Sequence, residues 1–173
     1  DLTEHQKAIL AARYIHTTFV DAEANAFLWW GLIYSLAPGS ERDPNVQQKH
    51  RDEGLVLVCA PADQVGDYQT FIERTKKFYT FSQYSQFIQP GYQRIDIKPA
   101  SGLHASAYVN EESTRLVVVV INDSAETKKL SFQVDVGYHL VSTHQTDKVR
   151  NCEAIADDVF FEPQSVRTVV YER

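Results

Sequence analysis

The hydrophobic pattern of this chain turns for good from helical to strand-like at Pro90-Gly91. Before that pair, Phe78, Phe81, Tyr84, Phe87 and Ile88 recur at the three- and four-residue spacing of one helical face. After it, Tyr92, Arg94 and Asp96 alternate with Gln93, Ile95 and Ile97 as strand residues do. A proline has no N–H to give a helix and pushes the residue before it out of helical geometry, so the helix must end here. The pair therefore divides the chain into an α/β region, residues 1–89, and an all-β region, residues 90–173.

In the first region Thr3-Glu4-His5-Gln6 has the capping-box form. Ala8, Ile9, Ala12, Ile15 and Phe19 continue one face, which predicts an amphipathic helix over 4–19. After a polar connection at 21–25, AFLWWGLIYSL (26–36) is apolar on both alternating faces and reads as a strand buried on both sides. APGSERDPNVQQKHRDE (37–53) reads as a charged loop, long for the interior of a compact domain. GLVLVCA (54–60) reads as a short buried strand, and a helix is expected from about Asp67 to Ile88. Helix, short turn and doubly buried strand are the grammar of a parallel α/β sheet. One such strand cannot cover both of its edges alone, so a partner chain, or the rest of a longer polypeptide, is expected to complete the sheet.

The second region carries strand patterns at Tyr92–Lys98, Leu103–Asn110, Arg115–Asn122, Lys128–Asp135, Tyr138–Thr146 and Ser165–Tyr171, separated by turn signals such as Val136-Gly137. This predicts an antiparallel β-sandwich with Val117 to Val120 in its core. The 17 basic and 23 acidic residues give a net charge of -6 without a basic cluster, which argues against a nucleic-acid partner. The longest apolar runs, 26–36 and 116–121, fall short of the ~20 residues that cross a bilayer.

Cys59 and Cys152 lack metal-ligand spacing and are either buried thiols or disulfide halves, with a Cys59–Cys152 bridge as the candidate pairing. Asn122-Asp123-Ser124 fits the N-glycosylation acceptor pattern at a strand end expected to meet solvent. These features favour a secreted protein. His16 reads as a core or helix-end histidine, with no second His or carboxylate at a metal spacing. Ser82, Ser85 and the nearby tyrosines form no nucleophile arrangement.

AARYIHTTFVDAEANAFLWWGLI, then GLVLV, FYTFSQYSQFIQPGYQRIDI and SAYVNEESTRLVVVVIN, resemble the carboxy-terminal part of glycoside hydrolase family 30. The resemblance continues to the terminal VRTVVYER, and its most specific stretch is QYSQFIQPGYQRI. It implies the end of a (β/α)8 barrel over residues 1–89, namely its seventh helix, eighth strand and eighth helix, joined to a side β-sandwich over 90–173. It also implies a retaining mechanism with two glutamates whose carboxyl groups stand ~5 Å apart, and no cofactor or metal. Both glutamates would precede Asp1, so this chain is expected to be inactive alone and to need the amino-terminal portion of the enzyme as its partner. Asp21 and Glu23 do not replace them, because barrel chemistry sits at the opposite, carboxy-terminal mouth.

The resemblance places the sugar platform on Trp30, facing the barrel axis, with Trp29 turned towards the surrounding helices and Tyr34 at the rim. An indole offers a flat apolar surface and one N–H donor to a pyranose. Tyr34 resembles a position held by an arginine in the bacterial glucuronoxylanase branch, and a tyrosine cannot replace that charge. Arg42, Lys49, His50 and Arg51 could meet an acidic appendage in place of that arginine, but such a charge run reads first as a solvated face. The expected function is that of a secreted endo-β-glycanase acting on β-1,4-xylan. A β-1,6-galactanase or β-1,6-glucanase of the same family is one alternative, and a non-catalytic polysaccharide-binding module is another.

Overall fold

A computed structural model describes residues 2–36, 44–59, 71–98 and 102–173. Helix α1 (Glu4–Val20) begins on the predicted capping box: Thr3 accepts from the Gln6 amide and the Gln6 side chain returns to the Thr3 backbone. Its small residues Ala8, Ala11 and Ala12, with Ile9 and Ile15, form the buried face. Strand β1 (Ile33–Leu36) pairs in parallel with β2 (Val56–Cys59), and helix α2 (Pro44–Glu53) lies between them in sequence. Strand β3 (Phe71–Arg74) then pairs antiparallel to β2, closing a three-stranded sheet. Helix α3 (Lys76–Ser85) follows, capped by Thr75, whose side chain accepts from the Phe78 amide.

Three expectations change in this region. The strand read over 26–36 shrinks to 33–36, because only those residues find a ladder partner, in β2. Of the loop read over 37–53, residues 37–43 lie outside the described residues and 44–53 form α2, which starts on a proline suited to the first helical turn and carries no apolar period to betray it. Of the helix read over Asp67–Ile88, the part up to residue 70 lies outside the described residues, Phe71 to Arg74 go to the sheet, and α3 begins at Lys76 on its Thr75 cap.

Beyond Pro90, Gly91 takes a left-handed turn at φ 93 and the chain enters a six-stranded antiparallel sheet. Its strands are β4 (Gln93–Ile95), β5 (His104–Val109), β6 (Arg115–Asn122), β8 (His139–Thr146), β9 (Glu153–Ile155) and β11 (Ser165–Glu172), in the order β4-β5-β6-β11-β8-β9. Strands β7 (Lys128–Lys129) and β10 (Phe160–Phe161) form a separate ribbon. Strands β9 and β10 went unpredicted, being too short to show an alternation. The run expected over Lys128–Asp135 ladders only at its first two residues.

Both faces of the large sheet are covered. Val117, Val119 and Ile121 of β6, with Tyr108, Val166 and Val170, meet Ile9, Ala12 and Ile15 of α1 and Tyr84 and Phe87 at the end of α3. Val118 and Val120 point the other way, onto Phe161, Leu130, Phe132 and Tyr138. The helices of the first region and the sheet of the second thus share one core. Polar contacts also fix α3: the Thr168 hydroxyl donates to Gln83 Oε1 at 2.6 Å, and the Gln83 amide donates to Thr146 at 2.9 Å.

Two sequence expectations fail in the sheet region. Asn122 is fully buried at the end of β6. Its Nδ2 donates to the carbonyls of Glu126, Phe161 and Glu162 at 2.8, 3.0 and 2.9 Å, so the nitrogen a glycan would need is already enclosed by backbone acceptors. Cys152 is a free thiol that faces Gln86 Oε1 at 3.4 Å, so the expected bridge to Cys59, at the end of β2, is not formed. Burial raises the Cys152 thiol to about 11, which keeps it protonated.

Candidate functional site

The residues singled out around Trp30 converge where the approach to β1 meets the end of α2. The ring of Tyr34 needs unusual room: a Cβ on Gly31 would stand 2.1 Å from its Cε2, and one on Gly54 would stand 3.3 Å from its Cδ2. Two glycines therefore make the slot in which the ring lies. His50 stacks on the ring at 4.6 Å between centroids, and the Tyr34 hydroxyl donates to Glu53 Oε2 at 3.0 Å. Desolvation, followed by the Glu53 carboxylate, raises the phenol above its ordinary value, with the Trp30 indole acting in the opposite sense. The phenol stays a neutral donor at neutral pH.

Helix α2 is pinned at its carboxy-terminal end, where backbone carbonyls lack intrahelical partners. The Trp29 indole N–H donates to the Glu53 carbonyl. The Lys77 ammonium donates to the Arg51 carbonyl at 3.0 Å, and the Thr75 hydroxyl to the Gly54 carbonyl at 3.2 Å. A cation at that end also suits the helix dipole. Lys77 is buried, which lowers its pKa, while Glu4 at 3.4 Å works to hold its charge. The end of α2, and with it Glu53, is thus held by groups from β1's approach and from the first turn of α3.

The two tryptophans part company. Trp29 is half-buried, packed on Phe81 at 5.5 Å and Phe27 at 6.4 Å. Trp30 is 93 % exposed, and Leu28, Leu32, Ile33 and Ile72 are exposed in the same part of the fold. Around them the basic side chains of α2 are engaged: Arg51 pairs with Glu73 at 3.3 Å and Lys49 with Glu53 at 3.9 Å. Arg42 lies outside the described residues. Trp29, Trp30 and Tyr34 therefore stand together, whereas Asn122 and Cys152 belong to the large sheet and take no part. Sequence reasoning read His50 only as part of a charged face and missed Gly31, Gly54 and Glu53. The missed helix explains the last of these, since Glu53 counted only as the end of a charged loop.

A three-stranded mixed sheet joined through shared helices to an antiparallel sheet is an arrangement that this chain has in common with solved structures, family 30 xylanases among them. The chain superimposes over its full length on 40% of the family 30 subfamily 8 xylanase Xyn30A of Clostridium acetobutylicum, with a TM-score of 0.71 at 22% identity. A conserved exported protein of Bacteroides fragilis matches 96% of the chain with 34% of its own, at a TM-score of 0.77 and 23% identity. In sequence, the chain is similar to glucuronoxylanase XynC of Bacillus subtilis (strain 168), 25% identical over 120 residues that cover 68% of this chain and 21% of XynC. It thus resembles the carboxy-terminal part of family 30 xylanases and spans about a fifth of the length of the curated relatives it matches. No protein-family model matches it.

Proposed function

We propose that the chain is the carboxy-terminal portion of a secreted retaining endo-β-glycanase that hydrolyses β-1,4-xylan. Residues 1–89 supply the closing segment of its barrel and residues 90–173 its side domain. The observation that carries this reading is the bare indole of Trp30, 93 % exposed beside Tyr34, whose hydroxyl holds Glu53, in a chain whose whole length superimposes on a xylanase structure. An exposed apolar surface of this size on a folded protein marks an interface or a ligand site, and a flat indole flanked by hydrogen-bonding groups suits the two faces of a pyranose.

In this reading the two catalytic glutamates and the rest of the barrel come from the amino-terminal portion of the enzyme. That portion packs on Leu28, Leu32, Ile33 and Ile72 and leaves one face of Trp30 to the sugar. The chain's own residues position the substrate: Trp30 stacks, and Tyr34 and Glu53 offer polar contacts at the rim. The test is an assay of the complete protein on xylan, glucuronoxylan, β-1,6-galactan and β-1,6-glucan, beside the 173-residue chain alone. Cleavage of xylan by the complete protein and none by the isolated chain is expected. Cleavage of only a β-1,6-linked polymer would move the substrate, and binding without cleavage by the complete protein would make it a polysaccharide-binding module.

A further inference from the structure

Glu53 is an unusual neighbour for an exposed indole. Its carboxylate has 38% of its side-chain surface open and is oriented by the Tyr34 hydroxyl on Oε2 at 3.0 Å, while its other oxygen faces the Lys49 ammonium only at 3.9 Å. Among the described residues, that leaves acceptor positions on the carboxylate without a protein donor. The main chain of the same residue is clamped by the Trp29 indole, and the Tyr34 ring is boxed by Gly31, Gly54 and His50. The charge is therefore held in place beside Trp30, not swept through solvent. Of the other charged groups in this part of the fold, Arg51 is turned to Glu73 at 3.3 Å and Lys7 is paired with Asp52 and Glu4. The site presents an oriented anion to whatever lies on the indole.

We propose, resting on the glycanase reading above, that Glu53 is a specificity-determining residue: its carboxylate, held by Tyr34, accepts hydrogen bonds from sugar hydroxyls and turns away polymers carrying acidic side groups next to the Trp30 subsite. A neutral hydroxyl-rich chain gains charge-assisted hydrogen bonds there. A uronate brings a second negative charge to the same rim, and like charges a few ångströms apart at a partly exposed site disfavour binding by roughly tenfold. The substrate class is accordingly a neutral β-xylan without acidic side groups.

The complete protein is tested on two xylo-oligosaccharides of equal backbone length, one plain and one bearing a single glucuronic acid. The wild type should show kcat/KM at least about tenfold higher on the plain substrate, with the gap narrowing in high salt because the discrimination is electrostatic. Glu53→Gln keeps a polar partner for Tyr34 while removing the charge. It should bring the ratio towards one, chiefly by raising kcat/KM on the acidic substrate, and should abolish the salt effect on the ratio. Tyr34→Phe, which frees the carboxylate to move, should give an intermediate ratio. Equal or preferential cleavage of the acidic oligosaccharide by the wild type would overturn the proposal, as would a ratio unchanged in a Glu53→Gln variant with a wild-type melting curve. Should Glu53→Gln fail to fold, the wild-type ratio and its salt dependence decide alone. No turnover of either substrate would sink the glycanase reading and this inference with it, whereas equal turnover of both sinks the inference only.

Discussion

Strand β6 and the stretch leading into β1 are both dense apolar runs, LVVVVI and FLWWGLI, yet they end in opposite surroundings. Every residue of β6 from Leu116 to Asn122 is buried. Its two faces are covered by α1 and α3 on one side and by the Leu130–Tyr138 segment with Phe161 on the other. In the second run Leu28, Trp30, Leu32 and Ile33 stand exposed. An apolar run states that a strand needs cover on both faces. It does not state where the cover comes from. For β6 the same chain provides it; for the run before β1 the proposal assigns it to the rest of the enzyme and to the sugar. Stability and function should therefore separate cleanly between the two regions.

The largest effect is expected on the covered side, at Arg167. This arginine is 1% exposed in β11. It donates to Gln145 Oε1 at 2.9 and 2.7 Å and to the Phe160 carbonyl at 2.7 Å, and it stacks over the Phe161 ring at 4.2 Å. Arg167→Leu leaves those acceptors buried without donors and should cost ~3 kcal/mol or more, read as a fall in Tm of about 6–12 °C in a thermal melt. A melt within about 1 °C of wild type would show that the large sheet is not the stability centre. Trp29→Ala, at the boundary between the regions, should cost ~2 kcal/mol, less than a full core aromatic because the side chain is only half-buried.

A smaller effect should appear with pH. His16 is buried between α1 and the sheet with its Nδ1 unpartnered, and its ring meets His104 edge-on at 5.5 Å. Burial, then the neighbouring His104, lowers its pKa in the folded state, with Arg13 and Arg94 adding to the effect and Asp21 opposing it. The unfolded chain thus takes up the proton first, so stability present above about pH 6.5 is lost as the pH falls below it. His16→Leu should flatten the fall in Tm between about pH 7 and 5 without abolishing it, since burial lowers His5 in the same way. An unchanged slope would contradict this. A second loss should follow between about pH 4 and 2 as Asp147 protonates. Burial alone would raise this carboxylate, but the Arg150 amide, Gln145, the Val149 amide and the Arg150 guanidinium hold it at about 2. The smallest effect belongs to Cys152. Its thiol should alkylate slowly at neutral pH in the native protein and at the ordinary rate after unfolding, and rapid native labelling would contradict the enclosure described here.

How much of this was legible in the sequence follows the same division. Helix α1, its capping box and β6 were placed to within a residue, because capping and periodicity are local and the cover lies within the chain. Helix α2 was missed since a polar helix without an apolar stripe has no period to read. The two-residue β10 exists through pairing with the distant β7, which a local pattern cannot carry, and the three-residue β9 is too short to show an alternation. In the candidate site, Trp30 and Tyr34 are singled out through a family resemblance. Glu53 and the two glycines flanking the Tyr34 ring emerge only when the end of α2 is brought against the approach to β1. The glycosylation triplet misled because its pattern records three residue types and not the three carbonyls that close around Asn122.

The central claim is that the bare indole next to the half-buried one serves a sugar and not the fold, and the most direct measurement is Trp30→Ala in the complete enzyme, scored for both Tm and kcat on xylan. Losing a side chain with one face open to the sugar should cost no more than about 1 kcal/mol of stability, a small shift in Tm. Losing the platform should lower kcat by about a hundredfold. If Trp30→Ala instead melts early while each folded molecule keeps its wild-type kcat, the indole is a structural contact and the account of this site is wrong.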